Sequence, residues 1–190
     1  MEKVMSSERT QKMHPHKFTL WIAIGSITMM FAGFTSAYIV KSNQAGWQAV
    51  QMPKIFYLST VLILASSLCI YMAQKAIKMR EMAKYRMLVS ATAVLGFAFV
   101  ATQFIGFSEL WASKITFKES VAGSFFYIIT GVHALHVLGG IIALVILVLR
   151  VFNAKTKFYS TTPVETVGLY WHFVDILWIC LLYTSDAADE

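Results

Sequence analysis

Charged residues are scarce in this 190-residue chain. Asp, Glu, Lys and Arg make up 14% of it and hydrophobic residues 57%, with a mean hydropathy of +0.62, whereas soluble domains carry roughly 25% charged residues. An ordinary water-soluble globule is excluded. Pro occurs three times and Gly ten times, which rules out collagenous and low-complexity disordered chains. The two cysteines, Cys69 and Cys180, sit in separate apolar runs. They form no disulfide framework and no metal-type pair, and both read as small buried hydrophobes. Also missing are a phosphate-binding glycine loop, an activated Ser or Cys, a carboxylate pair and zinc spacing. The chain offers no catalytic set of its own.

What it has is long apolar runs. A bilayer core of about 30 Å needs about 20 helical residues, and five stretches qualify: 18–40, 55–76, 87–107, 123–149 and 163–183. Membrane strands would alternate with period two over about ten residues, and these runs are continuously apolar. The expected fold is all-α, a polytopic membrane bundle of five transmembrane helices. It forms one domain over 18–183, after a polar segment at 1–17 and before a polar tail at 184–190. The first run is too long for a signal-peptide core and is expected to be retained. Thr162-Pro163-Val164-Glu165 reads as an N-cap, a Pro in the first helical position and a Glu that closes a capping box.

The basic residues report sidedness. Lys and Arg in the connections that alternate with the runs number twelve on one side and four on the other. Because short cytoplasmic loops hold the excess, the N-terminus is expected in the cytoplasm and the C-terminus on the opposite side. The net charge of +6 is dispersed among these loops, so it does not indicate nucleic acid.

An ionisable group inside a span costs about 2.5–3.5 kcal/mol on insertion scales, so each one needs a reason. Four lie deep: His133, His136, His172 and Asp175. His133, His136, Gly140 and Ala143 share one face of the fourth helix, and small residues there would let another helix backbone approach. Gly168, His172, Asp175 and Ile179 share a face of the fifth, flanked by Trp171 and Trp178. His172 and Asp175 are expected to pair locally, and Asp175→Leu to cost about 1–3 kcal/mol if a partner is left unpaired.

Buried polar groups that satisfy one another across helices form the leading reading of this cluster, with a haem or metal site and a proton relay as alternatives. A small transporter or proton-conducting protein is the alternative in another class, although no broken helices or internal symmetry accompany it. Gln103 and Glu109 read as snorkelling or interfacial groups. Ser26, Gly33, Ser36 and Ala37 read as a helix-packing seam, Trp47 and Trp111 as an aromatic belt, and His14-Pro15-His16 as a headgroup-level linker.

Two phrases carry a resemblance. Gly131-Val132-His133-Ala134-Leu135-His136-Val137-Leu138-Gly139-Gly140, followed by Tyr170-Trp171-His172-Phe173-Val174-Asp175-Ile176-Leu177-Trp178, resembles subunit III of haem-copper terminal oxidases. Phe31-Ala32-Gly33 and Ser36-Ala37-Tyr38 are similar to the family's opening helix. The likeness spans about Pro15 to Trp178 and implies the compact bacterial form with five helices, in the bacterial cell membrane.

By that resemblance the chain is a noncatalytic subunit of a proton-pumping oxidase in aerobic respiration. It would pack against subunit I with lipid at the contact and support proton uptake, while subunits I and II, which hold the haem and copper, carry electrons to oxygen. His133, His136, His172 and Asp175 would be structural positions, with no cofactor or metal bound here. Cytochrome c and quinol stay open as electron donor. Two departures stand out. Ser26 is followed by Ile27 where many members carry a buried Glu, and the chain turns abruptly polar at Thr184, which suggests a truncated or altered terminus.

Overall fold

The computed structural model describes residues 15–42, 54–112, 121–153 and 161–187. These form five helices, α1 (Pro15–Ser42), α2 (Ile55–Lys78), α3 (Met82–Ala112), α4 (Val121–Asn153) and α5 (Thr162–Ala187), each long and apolar enough to cross a membrane. There are no strands among the described residues. A helix satisfies all its backbone groups internally, which hydrocarbon demands of a lipid-exposed segment. The all-α bundle expected from the apolar runs is therefore the architecture observed. The helices outrun the apolar stretches at most ends, most of all in α3, and α5 continues through the first residues of the polar tail.

Four helices close a ring. α2 packs on α3, α3 on α4, α4 on α5 and α5 on α2, while α1 lies outside this ring against α4 and α5 alone. The inner surface of α1 is a narrow stripe on which Phe31 and Tyr38 are buried, with Ile27 and Phe34 packed beside them. Most of the remaining α1 surface is exposed, including Met29 at 79%. Of the seam expected at Ser26, Gly33, Ser36 and Ala37, the first three are exposed and Ala37 is half-buried, and among the described residues a Cβ built on Gly33 would meet nothing within 4 Å.

A three-residue turn at 79–81 holds the α2–α3 hairpin. Arg80 has φ of 60°, its N–H donates to Ile77 O at 3.1 Å, and Glu81 N–H donates to Ala76 O at 3.0 Å. This pair of bonds is the Schellman closure, which favours Gly in the left-handed position. Here an Arg occupies it. A side chain there costs about 1–2 kcal/mol, so Arg80→Gly should stabilise the purified chain by about 1 kcal/mol, read from its unfolding in detergent.

At the end of the bundle where α1 and α5 begin and α2 finishes, Glu165 ties three helices together. Its Oε2 accepts from Lys17 Nζ at 2.6 Å and its Oε1 lies 3.1 Å from Lys78 Nζ. Both oxygens are thus engaged by lysines of neighbouring helices. Helix α5 already includes Thr162, and the first backbone bond runs from Glu165 N–H to Thr161 O at 3.0 Å.

Candidate functional site

Trp171 occupies the middle of the ring. Its indole is fully buried, and a Cβ added to Gly140 of α4 would sit 2.9 Å from its ring, and one added to Gly96 of α3 3.1 Å. Glycine at both positions leaves room for the slab between two helices without displacing it. The small-residue face of α4 therefore receives an aromatic ring and not, as expected, a helix backbone. Trp171 Nε1–H donates to Ser66 Oγ at 3.1 Å, and Ser66 in turn donates to Thr92 O at 3.2 Å. One buried hydroxyl thereby connects α5, α2 and α3.

The same device repeats along α2. Trp178 Nε1–H donates to Thr60 Oγ1 at 3.1 Å, Gln103 Nε2–H of α3 donates to Ser59 Oγ at 2.8 Å, and Ser67 Oγ is hydrogen-bonded to His172 Nδ1. Ser59, Thr60, Ser66 and Ser67 form a ladder on which α3 and α5 hang their polar groups. Sequence reading passed over this ladder. Its signal was two adjacent hydroxyl pairs seven residues apart in an apolar run, a spacing that returns to one helix face. Gln103, expected to snorkel, instead points inward to Ser59.

The four deep ionisable residues divide between two places. On α4, His133 is buried and stacks on Trp178 with ring centroids 5.6 Å apart and planes inclined by 26°. His136 is half-buried, its Nδ1–H reaches Val132 O at 2.8 Å, and Tyr170 O–H donates to the His136 carbonyl at 3.0 Å. Phe31 of α1 meets both imidazoles in T-shaped contacts, with centroids 6.3 Å and 5.9 Å away. On α5, His172 and Asp175 turn toward α2.

The local His172–Asp175 pair does not form. The Ser67 hydroxyl is hydrogen-bonded to His172 Nδ1 and faces the Asp175 carboxyl without meeting hydrogen-bond geometry there, and no ion pair between His172 and Asp175 occurs among the described residues. Asp175 is 3% exposed, and neither of its carboxyl oxygens has a partner there. Both ring nitrogens of His133 are equally unpaired. No group of three or more His, Cys, Asp or Glu is arranged to hold a metal ion among the described residues. Chemically the arrangement is a set of interhelical hydrogen bonds around two indoles.

The chain matches the family model described as cytochrome c oxidase subunit III over residues 8–185. The chain belongs to the cytochrome c oxidase subunit III family. It is 33% identical to the probable cytochrome c oxidase subunit 3 of Nocardia farcinica over 186 residues, covering 92% of each chain. It is 31% identical to the Corynebacterium diphtheriae subunit 3, covering 86% of each. The Bacillus sp. PS3 subunit 3 is 27% identical, covering 84% of this chain and 79% of that one. Five membrane-crossing helices and these bacterial relatives make the subunit III chain a multi-pass protein of the cell membrane and part of a respiratory oxidase.

Trp111 is exposed at the end of α3 with Tyr127 edge-on, centroids 6.4 Å apart, as a belt residue would be. Cys69 is half-buried, but Cys180, expected to be buried, is exposed on α5. Trp47, His14 and the side chain of His16 lie outside the described residues.

Proposed function

We propose that this subunit III is the noncatalytic structural partner of a proton-pumping oxidase, packing against subunit I beside subunit II, stabilising subunit I and supporting its proton uptake. The observation that carries this reading is how the two buried indoles, His172 and Gln103 are used. Trp171, Trp178, His172 and Gln103 are spent on the α2 hydroxyls, which is the work of a scaffold and not of a reaction centre. No cofactor is assigned to the chain, and the haem and copper reside in its partners. The excess of Lys and Arg supports a cytoplasmic position for the end that holds Lys17, Lys78 and Glu165. A cavity of about 110 Å³ bounded by α3, α4 and Trp178 of α5, with Phe99, Phe107, Leu138, Gln103 and His133 in its walls, has room for a short stretch of one acyl chain.

The test is recovery of the tagged chain from solubilised native membranes. A larger haem-bearing membrane subunit should come with it, and deletion of this chain should shorten the working life of the oxidase. Recovery of the chain alone, with oxidase turnover indifferent to the deletion, would refute the reading.

A further inference from the structure

The α1 helix leaves a furrow. No Cα of α1 comes within 8 Å of one on α2, yet both helices pack on α5, so α5 forms the floor of a lengthwise groove between them. The Lys17–Glu165–Lys78 ion pairs strap the two walls together at one end. Along the floor, His172, Ile176, Ile179 and Tyr183 follow one another at spacings of four, three and four residues, which keeps them on one helix face. Ile176 is 59% and Tyr183 75% exposed. On the α2 wall, Leu64 and Tyr71, one turn to either side of Ser67, are exposed as well.

Lipid tails could cover such a surface but for His172. This imidazole is half-buried, its Nδ1 is taken by Ser67, and Nε2 has no hydrogen-bond partner among the described residues. Within the span Thr162–Ser185, His172 stands ten residues from one end and thirteen from the other. At 1.5 Å per residue it lies about 15 Å from the nearer membrane surface. Acyl chains offer nothing to a ring nitrogen at that depth, and a polar group left unpaired in hydrocarbon is costly. Headgroups lie too far away. What can reach it is a polar side chain of another membrane-crossing helix, the usual interhelical hydrogen bond in a bilayer.

We propose that one transmembrane helix of a partner oxidase subunit lies in the furrow between α1 and α2 and pairs a Ser, Thr, Asn or Gln side chain with His172 Nε2. The proposal rests on the subunit reading above, and its test is made in the assembled oxidase. A photo-reactive benzoylphenylalanine placed at Ile176 in the otherwise unchanged chain should, on illumination of the purified complex, give a covalent adduct with another oxidase subunit. In parallel, His172→Leu should lower retention of the chain on the washed complex about tenfold, and His172→Gln, which keeps a hydrogen-bonding group, should retain most of it. An intact complex in which Ile176 labels only lipid would overturn the proposal, as would His172→Leu retention equal to the parent chain. If no haem-bearing subunit is recovered with the parent chain, the subunit reading itself fails, and this one with it.

Discussion

Trp171→Ala should cost about 3–5 kcal/mol of stability, the range for removing a fully buried large aromatic. Unfolding of the purified chain in detergent would show it. The size of the loss follows from where the ring sits. Removing it empties a slot bounded by Gly96 and Gly140, and neither glycine has a side chain with which to fill the void. Backbone movement of whole helices would be needed. Ser66 Oγ would also lose the indole donor that links α5 to the α2–α3 hairpin. Trp171→Phe separates the two contributions. It retains much of the slab and removes the N–H, so the cost should fall to about 1 kcal/mol, the usual net value of one hydrogen bond. A Phe variant as damaged as the Ala variant would mean that the hydrogen bond, and not the packing, holds this junction.

The reverse substitution meets the same ring from the other side. Ala is a better helix former than Gly by about 1 kcal/mol, so Gly140→Ala would stabilise an isolated helix. In the bundle its Cβ would stand 2.9 Å from the indole, and overpacking typically costs about 1–3 kcal/mol. The net effect is destabilising, in contrast to Gly33→Ala on α1, where a Cβ meets nothing within 4 Å. The same substitution thus changes sign with the neighbour.

How much of this was legible in sequence differs by level. The five spans were plain because hydrocarbon thickness fixes the length of an apolar run, and no tertiary contact is needed to read it. Helix ends were less so, since residues such as Met82 to Arg86 continue α3 beyond its apolar core with good helix formers. The α2–α3 turn was hidden because Arg80 adopts a conformation that sequence reading assigns to Gly. The site was half visible. Its indoles, imidazoles and carboxylate stood out as expensive in a membrane, yet their partners depend on which helices become neighbours. With α1 outside the ring, α5 lies against α2, and inconspicuous serines and threonines take the hydrogen bonds that had been assigned to a local His172–Asp175 pair.

Asp175 is where that distinction has the largest consequence. Had His172 neutralised it, replacing Asp175 would strand a buried imidazole and weaken the bundle. Instead His172 is satisfied on one nitrogen by Ser67, and the Asp175 carboxyl is buried with no hydrogen-bond partner among the described residues. An apolar substitute removes at most a shared approach to Ser67, whose hydroxyl stays bonded to His172. It also removes a group that costs about 2.5–3.5 kcal/mol to hold at the centre of a membrane helix. Asp175→Val, which stays close to the original volume, should accordingly stabilise the isolated chain by about 1–3 kcal/mol. Unfolding in detergent, compared with the parent chain, measures the gain, and a loss of similar size would show that a strong partner holds the carboxyl after all. A buried carboxyl that weakens its own fold calls for another reason to be there. The assembled oxidase supplies the comparison: if Asp175→Val stabilises the free chain while lowering turnover of the complex, the carboxyl serves the assembly at the expense of the subunit, as polar groups at functional positions commonly do.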